Sequence, residues 1–235
     1  MATYVIADIH GEYEKLIRLL NLINLQPTDT LYVLGDILDR GPNPIQALLH
    51  LRRMPNVIPM VGNHELMALN CLQFLSHEQA GKITAKDSPS IEEDFCIWAD
   101  NGSQTTIEEF RKLSTPRQQE VIDYIREFSV YEEVHIDEQK FLLVHAGLGN
   151  FSPEKTAEDY TLKELLWDRA DYDMQYFDDT YVISGHTPTQ LIAENPNPGY
   201  IFYKNNHIAI DCGACFPNGR LAAICLNTGE EFISN

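Results

Sequence analysis

Three times in the first third of the chain, a short apolar run breaks into a polar loop and then into helical spacing. Residues 3–7 form the first run. Asp8, Ile9, His10 and Gly11 follow it, and Leu16, Ile17, Leu19, Leu20 and Ile23 recur at the intervals of one helix face. Residues 31–34 form the second run, followed by Gly35, Asp36, Ile37, Leu38, Asp39, Arg40 and Gly41, a punctuating Pro42, and helical spacing over 43–53. Residues 57–61 form the third, followed by Gly62, Asn63, His64 and Glu65 and a helix through Leu66, Leu69, Leu72 and Phe74. Runs this short predict buried strands. Strand, loop and helix in repeated order predict βαβ units, whose loops gather at the carboxyl edge of a sheet, where open α/β sheets place their ligands. Alternation along the first loop is expected to turn Asp8 and His10 to the same side.

The pattern then changes. Residues 77–128 are polar and mostly helical, with a turn-rich segment at 86–90, and Trp98 to Gly102 lead into a further helix. This stretch is expected to be a helical cap or insertion within a single domain spanning 1–235. Two roles stay open for it: shaping substrate access, or packing Trp98 and Phe95 against the sheet. From residue 129 strands return, with a hairpin over 130–136 and 140–144, a run at 181–184, and closing strands at 201–203, 207–211, 221–226 and 231–233. Two of these runs end on a histidine beside glycine: His145 before Ala146 and Gly147, and His186 between Gly185 and Thr187. His50, His77, His135 and His207 lack that setting and are expected to be structural or solvated.

Composition narrows the partners. The chain has 235 residues, 44% of them hydrophobic, enough for one substantial core. Its 17 basic and 35 acidic residues give a net charge of −18, which repels nucleic acid and anionic lipid. A local acidic cluster can still bind phosphate when divalent cations invert the field. The start of the sequence leads straight into a strand, and Asp8 interrupts the apolar stretch early, so a cytoplasmic protein without a membrane span is expected. Five cysteines, an odd number, suit reduced thiols. Cys212 and Cys215 have CxxC spacing, but no second pair accompanies them. Between Cys215 and Arg220 there is one residue too few for a cysteine-phosphatase loop, so idle thiols are expected.

Asp8, His10, Asp36, Asn63, His145 and His186 supply oxygen and nitrogen donors from five separate loops, with no cysteine among them. Such a mixed set suits a pair of borderline divalent ions, manganese, iron or zinc before calcium, with Asp36 central enough to serve both. Two ions about 3.5–4 Å apart would clamp the attacking and leaving oxygens of an in-line displacement.

The order DxHG, GDxxDRG, GNHE, HAG, GHTP resembles the phosphoprotein phosphatase family of calcineurin-like metallophosphoesterases, from residue 3 to about residue 214. The resemblance implies a four-layer α/β fold, a β-sandwich flanked by helices. It places Asp8, His10 and Asp36 on one metal and Asp36, Asn63, His145 and His186 on the other. It makes His64 the general acid and Asp39 its orienting partner. Arg40 becomes a phosphate clamp, with Arg169 as the second phosphate-binding arginine. Ala7 stands where the family usually has glycine, a small residue in either case. The implied reaction is direct attack by a metal-bridging hydroxide, without a phosphoenzyme, on a phosphorylated protein or small phosphomonoester, as in a bacterial serine/threonine protein phosphatase. The alternative is a symmetrical dinucleoside polyphosphate (diadenosine tetraphosphate) hydrolase. That type typically lacks the aspartate before the arginine and has aspartate after GNH, where this chain has Asp39 and Glu65. An inert scaffold with the same fold is a third reading, although every ligand position is filled.

Overall fold

The computed structural model describes residues 1–82 and 90–235. The turn-rich segment expected at 86–90 therefore lies, up to residue 89, outside the described residues. The chain runs through β1 (Thr3–Ile6), α1 (Tyr13–Leu22), β2 (Thr30–Val33), α2 (Pro44–Leu51), β3 (Val57–Pro59) and α3 (Asn63–Gln79). Three further helices follow, α4 (Ile91–Asp100), α5 (Gln104–Arg111) and α6 (Thr115–Arg126). The second half contributes β4 (Tyr131–Ile136), β5 (Gln139–Val144), α7 (Leu162–Leu166), β6 (Thr180–Ser184), β7 (Phe202–Lys204), β8 (His207–Ala209), β9 (Leu221–Cys225) and β10 (Glu231–Ser234).

Two mixed five-stranded sheets result, ordered β10-β9-β1-β2-β3 and β4-β5-β6-β8-β7. In the first, β1, β2 and β3 run parallel, linked by α1 and α2, and the β9–β10 hairpin pairs antiparallel with β1. In the second, β5, β6 and β8 run parallel, with β4 and β7 antiparallel on the edges. Strand alternation decides what packs where. Val5 and Ala7 face inward and meet Leu143, Ile183, Ile208 and Ile224 in a core between the sheets. Tyr4 and Ile6 face outward and meet Leu16, Leu48 and Leu72 on the helical layer. On the far side, Leu142, Val144 and Val182 pack under Leu165 and Leu166 of α7. Helices, sheet, sheet, and helix with loops make the four-layer α/β sandwich that the resemblance implied.

Three expectations need correction or sharpening. The run over 57–61 is a strand only to Pro59, because the Val61 N–H leaves the sheet and donates to the Ser129 carbonyl at 2.8 Å. Between the two roles left open for 77–128, burial favours packing: Trp98 and Phe110 are fully buried in the helix-side core. Phe95 meets Phe74 of α3 edge-to-face and lies tilted against Trp98, so it packs on α3 within the same core. Finally, Asp8 and His10 are not on an alternating extended segment. Both have left-handed backbone, φ 49° and 45°. No helix among the described residues is long and apolar enough to cross a membrane.

Candidate metal centre

The loops after β1 and β2 are stitched to one another beyond the ends of their strands. Asp8 N–H donates to Gly35 O (3.2 Å), His10 N–H to Asp36 O (2.8 Å) and Gly11 N–H to Ile37 O (2.9 Å). The loops after β5 and β6 join in the same way, Gly185 N–H donating to His145 O at 2.8 Å. Two glycines permit the close approach of these loops. A Cβ on Gly62 would strike the carboxylate and backbone N of Asp36, and one on Gly185 would strike the carboxylate of Asp8.

Asp36 lies at the centre. Its Oδ2 is 3.5 Å from His10 Nε2, and its Oδ1 is 3.5 Å from His145 Nε2. Two donor groups share it: His10 with Asp36 and His64, all buried, and Asp36 with buried His145 and half-buried His186. Asn63 joins the second: its Oδ1 is 2.9 Å from His145 Nε2 and 3.0 Å from His186 Nδ1. Asp8 is next door but in neither group. Both its oxygens accept the His186 N–H at 3.0 Å, and it is buried near Asp211. Arg169 is exposed, with its charge acting on His186.

The protonation pattern tests whether cations fit. His145 Nδ1 donates to the Leu34 carbonyl (2.6 Å) and His10 Nδ1 to the Leu38 carbonyl (2.9 Å), since a carbonyl can only accept. Burial holds His10 near pKa 3 and His186 near 4, and it lowers His145 as well. The Nε2 of neutral His145 therefore presents a lone pair to a second lone pair on Asn63 Oδ1, 2.9 Å away, with no proton between them. A divalent cation satisfies both. The carboxylates point the same way. Burial opposes ionisation of Asp36, yet His145, His64, His10 and His186 outweigh it and hold its pKa low. Burial and the neighbouring Asp211 and Asp36 push Asp8 well up, while burial pushes Asp211 to about 7. Three buried carboxyl groups crowd one site, which added positive charge would relieve.

Beside these donors, His64 Nδ1 donates to Asp39 Oδ2 at 2.6 Å, both residues fully buried. Burial lowers the His64 pKa, but Asp36 and the Asp39 hydrogen bond prevail and raise it. Arg40 reaches in from the exposed side. Its Nη1 donates to His10 Nε2 (2.9 Å) and its Nη2 to His64 Nε2 (3.0 Å).

Four contributors were not expected. Glu65 Oε1 and Oε2 accept N–H groups of Asp36, Ile37, Leu38 and Gly62, tying the second loop to the third. Its place three residues after Gly62 is capping-box spacing, a readable signal. Asp211 ends the 207–211 run just before Gly213, the same grammar as the other strand ends. Trp98 and Thr106 hydrogen-bond to Asp39. Nothing local marks them, because they are 59 and 67 residues from it in sequence.

The sequence profile of the calcineurin-like phosphoesterases matches residues 1–190. The chain belongs to that family. It is a hydrolase of the metallophosphoesterase superfamily, and the family implies divalent metal ions, for which the donor set above is suited. The calcineurin-like chain is 27% identical over 234 residues to a symmetrical bis(5'-nucleosyl)-tetraphosphatase of Photorhabdus laumondii, covering 98% of this chain and 74% of the relative. In fold it is similar to a crystal structure provisionally assigned as a diadenosine tetraphosphatase, with TM-score 0.67, 17% identity, and coverage of 99% and 92% of the two chains. A serine/threonine protein phosphatase of Saccharomyces cerevisiae is also similar, with TM-score 0.58, 14% identity, and coverage of 100% and 79%.

Proposed function

We propose that this calcineurin-like phosphoesterase is a metal-dependent hydrolase that splits the phosphoanhydride chain of dinucleoside polyphosphates. Similarity to the symmetrical tetraphosphatases along 98% of the chain supports the substrate class. The observation carrying the reaction type is Asp36 standing 3.5 Å from an imidazole nitrogen on either side, beside the facing lone pairs of His145 and Asn63. In this reading Asp8, His10 and Asp36 hold one divalent ion, and Asp36, Asn63, His145 and His186 the other, with manganese first and iron or zinc next. When bound, the pair would activate water and neutralise charge on the phosphoryl oxygens.

The remaining roles fall to the chain's own groups. Arg40 would exchange its contacts with His10 and His64 for two phosphoryl oxygens, which its planar fork matches. Arg169 would be the second arginine. His64 would give its Nε2 proton to the leaving oxygen while Asp39 holds the Nδ1 side, a contribution that is small for a nucleoside diphosphate and grows with the basicity of the leaving group.

A second reading, hydrolysis of serine and threonine phosphomonoesters, is favoured by the 2.6 Å His64–Asp39 contact. An alkoxide leaves poorly without a proton, whereas a nucleoside diphosphate leaves readily. Manganese-loaded protein separates the two. The proposal expects diadenosine tetraphosphate to be cleaved to ADP with kcat/KM at least ~10-fold above that for a phosphoserine peptide, about 1.4 kcal/mol of transition-state preference. The reverse order makes the phosphomonoesterase reading the correct one.

A further inference from the structure

Asp39 and Arg40 are consecutive non-glycine residues in left-handed backbone, φ 71° and 65°. Single aspartates and asparagines adopt it in exposed turns, but two residues in succession, one a buried aspartate and the other an arginine, need support from their surroundings. The imposing groups come from the corner between α4 and α5. The Gly102 carbonyl accepts the Arg40 N–H at 2.9 Å, and Arg40 Cγ lies 3.0 Å from where a Gly102 Cβ would be. Thr106 Oγ1 accepts the Asp39 N–H at 2.9 Å and donates to Asp39 Oδ1 at 2.5 Å. Trp98 Nε1–H donates to Asp39 Oδ2 at 2.7 Å, the oxygen that His64 also uses. Trp98, Thr106 and Asp39 are each fully buried.

Together the Thr106 hydroxyl and the Trp98 indole N–H fix the carboxylate plane of Asp39, and through it the ring of His64. The backbone contacts fix where the Arg40 side chain begins. We propose that Trp98 and Thr106 are positioning residues for proton donation, and that the helical stretch at 91–111 orients the His64–Asp39 pair. The inference rests on His64 being the proton donor. A purely structural role for the same buried residues would lower stability, and with it turnover alike for every substrate, without discriminating among leaving groups.

The test measures kcat and KM for manganese-loaded protein on substituted phenyl phosphates of graded leaving-group pKa. His64→Asn is expected to lose most on the poorest leaving group. Thr106→Val should follow the same trend, about 10-fold down in kcat at that end and under about twofold at the other, with KM unchanged. Thr106→Ser keeps the hydroxyl and should restore most of the loss. Adding Thr106→Val to His64→Asn should cost nothing further, because a residue acting through His64 has nothing left to position. Trp98→Phe, which keeps most of the ring volume, should repeat the trend; if it does not fold, the two Thr106 variants carry the test.

Equal losses across the series for Thr106→Val, or full additivity with His64→Asn, overturn the positioning role. A flat series for His64→Asn instead overturns proton donation itself, and the positioning claim falls with it.

Discussion

Glu65 illustrates how one side chain can assemble a site without entering its chemistry. Its two oxygens take four backbone N–H groups from two loops, while burial first, and Asp36 second, push its carboxyl up to about 7. Glu65→Gln would turn an NH₂ group towards donors and leave buried N–H groups unpaired. The expected cost is about 2–4 kcal/mol, read from denaturant unfolding. A loss below about 0.5 kcal/mol would mean the clamp is dispensable. At Asp36 the expected effect is on metal: Asp36→Asn should bring bound manganese below two per chain by elemental analysis and cost more activity than His186→Asn. The signature residues were legible in the sequence because glycine and strand ends frame them. Glu65 and Asp211 obeyed the same grammar and could have been read. Trp98 and Thr106 could not, since their meaning depends on a contact with Asp39 that no local periodicity encodes.

At the scale of elements, the site is a set of strand-end loops drawn together by left-handed residues rather than by strand alternation. Asp8, His10, Asp36, Asp39, Arg40 and His186 all have positive φ, which explains why alternation was the wrong ground for placing Asp8 with His10. The close approach at Gly185 yields a direct expectation. Gly185→Ala would drive a methyl group into the Asp8 carboxylate, lowering metal content and cutting kcat at least ~10-fold with unchanged far-UV circular dichroism. Gly229→Ala is the control. It meets nothing within 4 Å but keeps φ at +72°, so it should cost on the order of 1 kcal/mol of stability and leave metal content intact. If both variants keep full metal, the packing of these loops is not what shapes the site. The strands and the helices over 13–51 were legible from periodicity. The role of α4 to α6 was not, because a polar helical stretch reads alike whether it covers a cleft or completes a core.

For the whole molecule, three buried carboxyl groups, Asp8, Asp36 and Asp211, converge inside a chain of net charge −18. Ions bound there should add to folding stability by mass action. At 100 times the dissociation constant, manganese would contribute about 2.7 kcal/mol, and chelation should lower Tm accordingly. An identical Tm with and without chelator would show that the donors do not hold a cation. The substrate claim is tested most directly by product analysis of diadenosine tetraphosphate cleavage in manganese, run beside a phosphoserine peptide. The account predicts ADP as the sole nucleotide product, loss of turnover on chelation, and the dinucleotide ahead by at least ~10-fold in kcat/KM. AMP and ATP as products, turnover that survives chelation, or a faster phosphopeptide would contradict it.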